Sequence, residues 1–199
     1  MRTVLAAALL VGSASGAGAH GIASHAQAGR APAPAGEVRG FPVETLAAAD
    51  APVLDQTGAR RRFRSDVIGD GPVIVTFTYT ACTTVCPVAN GIMALADALL
   101  DAEGDARTRL VSVSVDPVND TPARLRAVAD AFGADARWSM VTGTAPDIAD
   151  VLRSLGLQPG AAENHDPMFL VGDGATMRFT RFAGLPDPEA LVAALPDRR

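Results

Sequence analysis

The chain has 199 residues, 48% of them hydrophobic and 20% charged, a composition that fits one globular domain plus some extra length. Its 17 basic residues, all arginine, face 22 acidic ones, and the net charge of −5 argues against a nucleic-acid partner. With only two cysteines and three histidines, any thiol or soft-metal chemistry must come from very few side chains.

In chain order, Arg2, the apolar run Val4 to Val11 and Ala17-Gly18-Ala19 predict a secretory signal over residues 1–19, cut before His20. The run is too short to span a bilayer, which takes about 20 residues. No cysteine lies near the cut to carry a lipid. The expected product is exported, periplasmic or equivalent, and soluble, with no stable membrane span. Residues 20–40, rich in Ala, Gly, Ser and Pro, read as a flexible tether. The folded domain is expected over 41–199.

Within it, residues 51–55 and 60–63 flank Gln56-Thr57-Gly58-Ala59 as a hairpin. Arg60, Arg61, Arg62 and Arg64 read as a solvated edge, where charge blocks unwanted strand pairing. Residues 72–79 are a continuous apolar strand suited to the middle of a sheet. Val88, Ile92, Leu95 and Leu99 then recur at helical spacing. Residues 110–115 alternate as a strand, Thr121-Pro122 opens a helix, 138–141 form a short strand and 146–155 a further helix. Strands at 168–171 and 176–179 flank Gly172-Asp173-Gly174 as a second hairpin, and Asp187-Pro188 caps a closing helix. Strands alternating with helices predict an α/β, thioredoxin-like fold. Its sheet is expected to be largely parallel, made mixed by the terminal hairpin, flanked by helices and preceded by an N-terminal β-hairpin extension.

Cys82 and Cys86 stand where the central strand turns into a helix. The unpaired N–H groups and partial positive charge of a helix N-terminus stabilise a thiolate there. Three residues separate the two cysteines, so the loop can close as a disulfide or open enough for both sulfurs to grip a soft metal such as Cu(I). Export makes a reductant necessary for any role that needs free thiols. Of His20, His25 and His165, the last lies just before the strand at 168–171, on a segment that faces the cysteine loop in a thioredoxin fold; Pro167 occupies the place of that fold's frequent cis-proline. His20, if it begins the mature chain, offers an α-amine and imidazole for Cu(II), with His25 nearby. Asp116 reads as a turn cap or a second-layer partner of the site. Asp120 reads as a helix-start residue, and Met140, Met168 and Met177 as core filling.

The run Phe77 to Pro87, with Val53 to Gly58, Val113-Ser114-Val115-Asp116-Pro117, Asp120-Thr121-Pro122, and Trp138 with Thr142-Gly143, resembles the Sco/SenC family of copper-binding, thioredoxin-fold assembly proteins. The resemblance implies one copper ion per chain, held by Cys82, Cys86 and His165. It implies delivery to the copper-A centre of a terminal oxidase or to another copper protein, with a thioredoxin-type reductant as second partner. The alternative is a thiol-disulfide oxidoreductase in which Cys82 attacks and Cys86 resolves, keeping a partner's cysteines reduced. A thiol peroxidase would need an arginine beside the attacking thiolate, which only Arg137 or Arg153 could bring through the fold.

Overall fold

In the computed structural model the chain divides into residues 1–37 and a compact unit, Val38–Arg199. The structure describes residues 42–160, 162 and 166–196, all within the second unit. The expected signal, the tether, His20, His25 and His165 therefore lie outside the described residues.

Eight strands form one sheet: β1 (Val43–Thr45), β2 (Pro52–Asp55), β3 (Arg60–Arg62), β4 (Pro72–Thr78), β5 (Arg109–Ser114), β6 (Trp138–Thr142), β7 (Met168–Asp173) and β8 (Arg178–Ala183), in the order β1-β8-β7-β4-β5-β6-β2-β3. Four helices accompany it: α1 (Val85–Ala102), α2 (Pro122–Phe132), α3 (Ala145–Ser154) and α4 (Pro188–Ala193), with a π-helical turn at Phe63–Ile68. This is the mixed, thioredoxin-like sheet flanked by helices that the element order predicts.

The expectation of a largely parallel sheet needs correction. Only β4–β5 and β5–β6 pair in parallel, while β1–β8, β7–β8, β4–β7, β2–β6 and β2–β3 are antiparallel. A helical crossover lies between each parallel pair, as parallel pairing requires. The short connection from β7 to β8 forces the reverse direction. The N-terminal hairpin joins the sheet through β2 on β6, in register at Leu54↔Thr142 and Asp55↔Val141. Its arginine strand β3 is the outer edge, fully exposed as expected of a charged guard against edge pairing.

Alternation along the central strands splits the core in two. Val73, Val75, Phe77, Val111 and Val113 point to the face covered by α3 and the π-helical turn. Ile74, Leu110 and Met140 point to the face covered by α1, α2 and α4. β4 is buried at all seven positions, which suits its continuous apolar sequence. In α1 the buried stripe is Cys86, Ala89, Ile92, Met93, Ala96 and Leu100, whereas Val88 and Leu95 of the expected stripe stand in solvent, 49% and 57% exposed. The helix is apolar nearly all round, so periodicity alone does not select its inner face.

The second hairpin is longer than its sequence suggests. β7 runs through Gly172, where an added Cβ would lie 2.1 Å from the Arg178 carbonyl oxygen. This glycine serves close strand approach rather than the turn. The turn follows Asp173, and Met177 there adopts φ 55°. Met140 is buried and Met168 and Met177 pack partly buried against the core, as core filling predicts.

Candidate metal centre

The site begins where β4 ends. Thr78 and Tyr79 lead into a five-residue turn that carries Cys82, and α1 opens at Val85, so Cys86 falls in its first turn. Both cysteines are free thiols, Cys82 partly exposed and Cys86 buried. The Cys82 amide donates to the Tyr79 carbonyl at 3.2 Å, which closes the turn.

The N-cap residue of α1, Thr84, makes no capping bond through its side chain. Cys82 Sγ takes over that role and accepts the Cys86 amide at 3.2 Å. A sulfur thus satisfies an orphan N–H at the positive end of an 18-residue helix. Burial pushes the Cys82 thiol up, but hydrogen bonds from the Cys86 thiol, from the Cys86 and Thr84 amides and from the Tyr79 hydroxyl outweigh it and bring it down to about 6. Burial pushes the Cys86 thiol up to about 12, reinforced by its hydrogen bond to Cys82 and by the Cys82 charge, against weaker help from the Tyr79 backbone and the Thr78 hydroxyl. The pair is therefore asymmetric: one partly exposed thiolate at neutral pH, one hidden thiol donating to it.

A small cleft beside Cys86 is walled by Phe77, Thr78, Tyr79, Val115, Asp166 and Pro167, among others. The β7 approach segment thus meets the cysteine loop, as the fold predicts. Asp166 and Pro167, the two residues that follow His165 in the chain, lie at the cleft itself. No cis peptide bond occurs among the described residues, so the bond before Pro167 is trans.

Asp120 departs from its reading as a simple helix-start residue. It is 2% exposed, and its Oδ1 accepts the Thr80 amide at 3.0 Å and the Thr80 hydroxyl at 2.6 Å. Its Oδ2 accepts the Ser114 hydroxyl at 2.6 Å. This one carboxylate ties the cysteine loop to the end of β5. Asp116 accepts Asn119 Nδ2 at 3.0 and 2.9 Å, which fits the turn-cap reading of the two the sequence offered. Tyr79, the chain's one tyrosine, is a site residue that sequence reasoning passed over; its place three residues before Cys82 was the available signal. Neither Arg137 nor Arg153 lines the cysteine cleft: Arg137 pairs with Asp97 and Asp101, and Arg153 with Asp150.

The fold and the paired thiols define a thioredoxin-like protein with a soft, thiol-based centre at the N-terminus of α1. Residues 52–197 match the SCO1/SenC family, and the chain belongs to that family. No curated protein matches the sequence. Among solved structures, a SCO1/SenC family lipoprotein from Bacillus anthracis superposes with a TM-score of 0.66 at 22% identity, covering 76% of this chain and 94% of that one. Arabidopsis thaliana ScoI, solved with copper bound, gives 0.61 at 19% identity over 75% and 94% of the two chains. Bradyrhizobium japonicum ScoI, also with copper bound, gives 0.57 at 24% identity over 74% and 96%. At these identities the likeness establishes the fold.

Proposed function

We propose that this protein is an exported copper carrier that holds one copper ion through Cys82, Cys86 and His165 and passes it to a copper-A-containing oxidase subunit or another copper protein. The observation that carries the reading is that Cys86, within hydrogen-bond reach of Cys82, lines one cleft together with Asp166 and Pro167. Two soft sulfurs from one loop, with an imidazole from the segment that precedes Pro167, suit a low-coordinate Cu(I) cargo. The lowered Cys82 thiol provides a ready anionic ligand at neutral pH. The copper-bound relatives from Arabidopsis thaliana and Bradyrhizobium japonicum lend support through shared family membership.

The same asymmetry supports a second reading, a thiol-disulfide oxidoreductase. The Cys82 thiolate attacks one sulfur of a partner disulfide, the S–S bond breaks and one partner thiolate leaves. Cys86 then loses its proton and attacks Cys82 Sγ, releasing the second partner thiolate. The pair is oxidised by two electrons and the partner is reduced, and an external thioredoxin-type reductant restores the dithiol.

An anaerobic competition of the reduced protein against a chromogenic Cu(I) chelator separates the two. The carrier reading expects one tightly held equivalent, weakened in His165→Ala and largely lost in Cys82→Ser and Cys86→Ser. Wild-type affinity in Cys82→Ser would overturn it. Absence of competitive binding by the wild type would leave disulfide exchange as the function.

A further inference from the structure

A second, larger cleft of about 470 Å³ adjoins the cysteine pocket, and Val115 lines both. Its floor is apolar: Val115, Ile148 and Leu152 are buried. Val118 stands at it 80% exposed, the most exposed large hydrophobic side chain among the described residues. Among the described residues that line this cleft, Asp116 is the only charged one. Asn119 orients the Asp116 carboxylate through two hydrogen bonds but does not neutralise it.

Handing over a thiolate ligand or a disulfide brings a partner sulfur into contact with Cys82. The partner's residues beside its own cysteine must then run over the surface next to the cysteine pocket. We infer that the Val115–Val118–Ile148–Leu152 cleft receives that segment, and that it selects an apolar side chain together with a cationic one placed against Asp116. The inference rests on the proposed exchange function of Cys82 and Cys86, and names the partner chemistry that site would accept. Charge complementarity carries it: a single carboxylate among the described residues that line the groove, in a chain of net charge −5, favours a basic segment and rejects an acidic one.

The test uses the reduced full chain and three disulfides: hydroxyethyl disulfide and the symmetrical disulfides of the acetylated, amidated tripeptides Leu-Cys-Lys and Leu-Cys-Glu. Second-order exchange rates are read at low ionic strength from the loss of the protein's own two thiols, by acid quenching, alkylation and mass spectrometry of the protein, since each exchange releases two peptide or mercaptoethanol thiols. The lysine peptide is expected to react about three- to fivefold faster than the glutamate peptide, the range of an exposed ion pair. Asp116→Asn should remove that preference and leave the hydroxyethyl disulfide rate unchanged. Val118→Ser should slow both peptides alike. Equal peptide rates in the wild type, or a preference that survives Asp116→Asn, would overturn the groove while normal attack on hydroxyethyl disulfide leaves the exchange function standing. A reduced protein inert to hydroxyethyl disulfide would overturn the exchange function and the groove with it. Concentration-dependent dimerisation abolished by Val118→Ser would overturn the inference in favour of a second copy of this chain.

Discussion

Asp120 holds Thr80 by both its amide, at 3.0 Å, and its hydroxyl, at 2.6 Å, although 40 residues separate them in the chain. Thr80 lies two positions before Cys82, so a buried carboxylate at the start of α2 fixes the backbone from which the partly exposed thiol projects. Asp120→Ala removes three hydrogen bonds and leaves the Ser114 hydroxyl without its acceptor. The expected loss is about 3 kcal/mol in chemical denaturation, given about 1.5–3 kcal/mol for each bond to a charged group and incomplete additivity. The loosened loop should also slow Cys82 alkylation at pH 7. Unchanged stability would show that the loop does not depend on this anchor.

The two thiols should titrate far apart. Only the thiolate is nucleophilic, so the iodoacetamide rate at Cys82 should be half-maximal near pH 6, flat above pH 7 and falling tenfold per unit below pH 5. Cys86, pushed up to about 12, should remain unmodified at pH 8 in the folded protein. Peptide mapping by mass spectrometry assigns each adduct. Preferential labelling of Cys86 would reverse the roles of the two cysteines.

Asp97 is buried on α1, and burial, followed by the Asp135 charge, raises its carboxyl to about 6 despite Arg137 nearby. Arg137 Nε lies 3.1 Å from Asp97 Oδ1, yet that oxygen lacks an aligned hydrogen bond, which explains why the cation does not prevail. A raised carboxyl binds more protons in the folded state than in the unfolded one between about pH 4 and 6. Stability from this group therefore falls as pH rises through that window. Asp97→Asn should stabilise the protein by about 1 kcal/mol at pH 7, with the gain vanishing below pH 4. A loss at pH 7 would show that the ion pair with Arg137 outweighs burial.

Gln56 completes the β2–β6 edge with its side chain. Its Nε2 donates to the Trp138 carbonyl at 2.9 Å and its Oε1 accepts the Met140 amide at 2.9 Å, where β2 has already turned away. Gln56→Ala leaves both β6 groups without partners, an expected cost of about 1–3 kcal/mol. Gln56→Glu keeps the acceptor but loses the donor, and should be no better tolerated at neutral pH. Urea denaturation of the two variants provides the check.

Much of the fold was legible because its signals are local. Thr121 is the N-cap that Thr121-Pro122 announces, and its hydroxyl accepts the Arg124 amide at 3.3 Å. The apolar run at 72–79 is the buried central strand, and the arginine strand is the edge. The inner face of α1 was not legible, because a helix apolar all round offers no contrast. Gly172 looked like turn chemistry, but its lack of a side chain serves the approach of β8. Asp120 and Gln56 looked ordinary because their partners lie 40 and 82 residues away.

From the sequence alone follow the order of elements, the placement of two thiols between a buried strand and a helix, and the resemblance that identifies the family. Each depends on neighbours within a few residues, where turn, capping and periodicity act. Strand directions, the division of the core between two sheet faces and the inequality of Cys82 and Cys86 came only with tertiary structure. The two cysteines are the same residue in one short motif. What separates them is the helix N-terminus that donates to one sulfur and the packed sheet that shuts the other away from water.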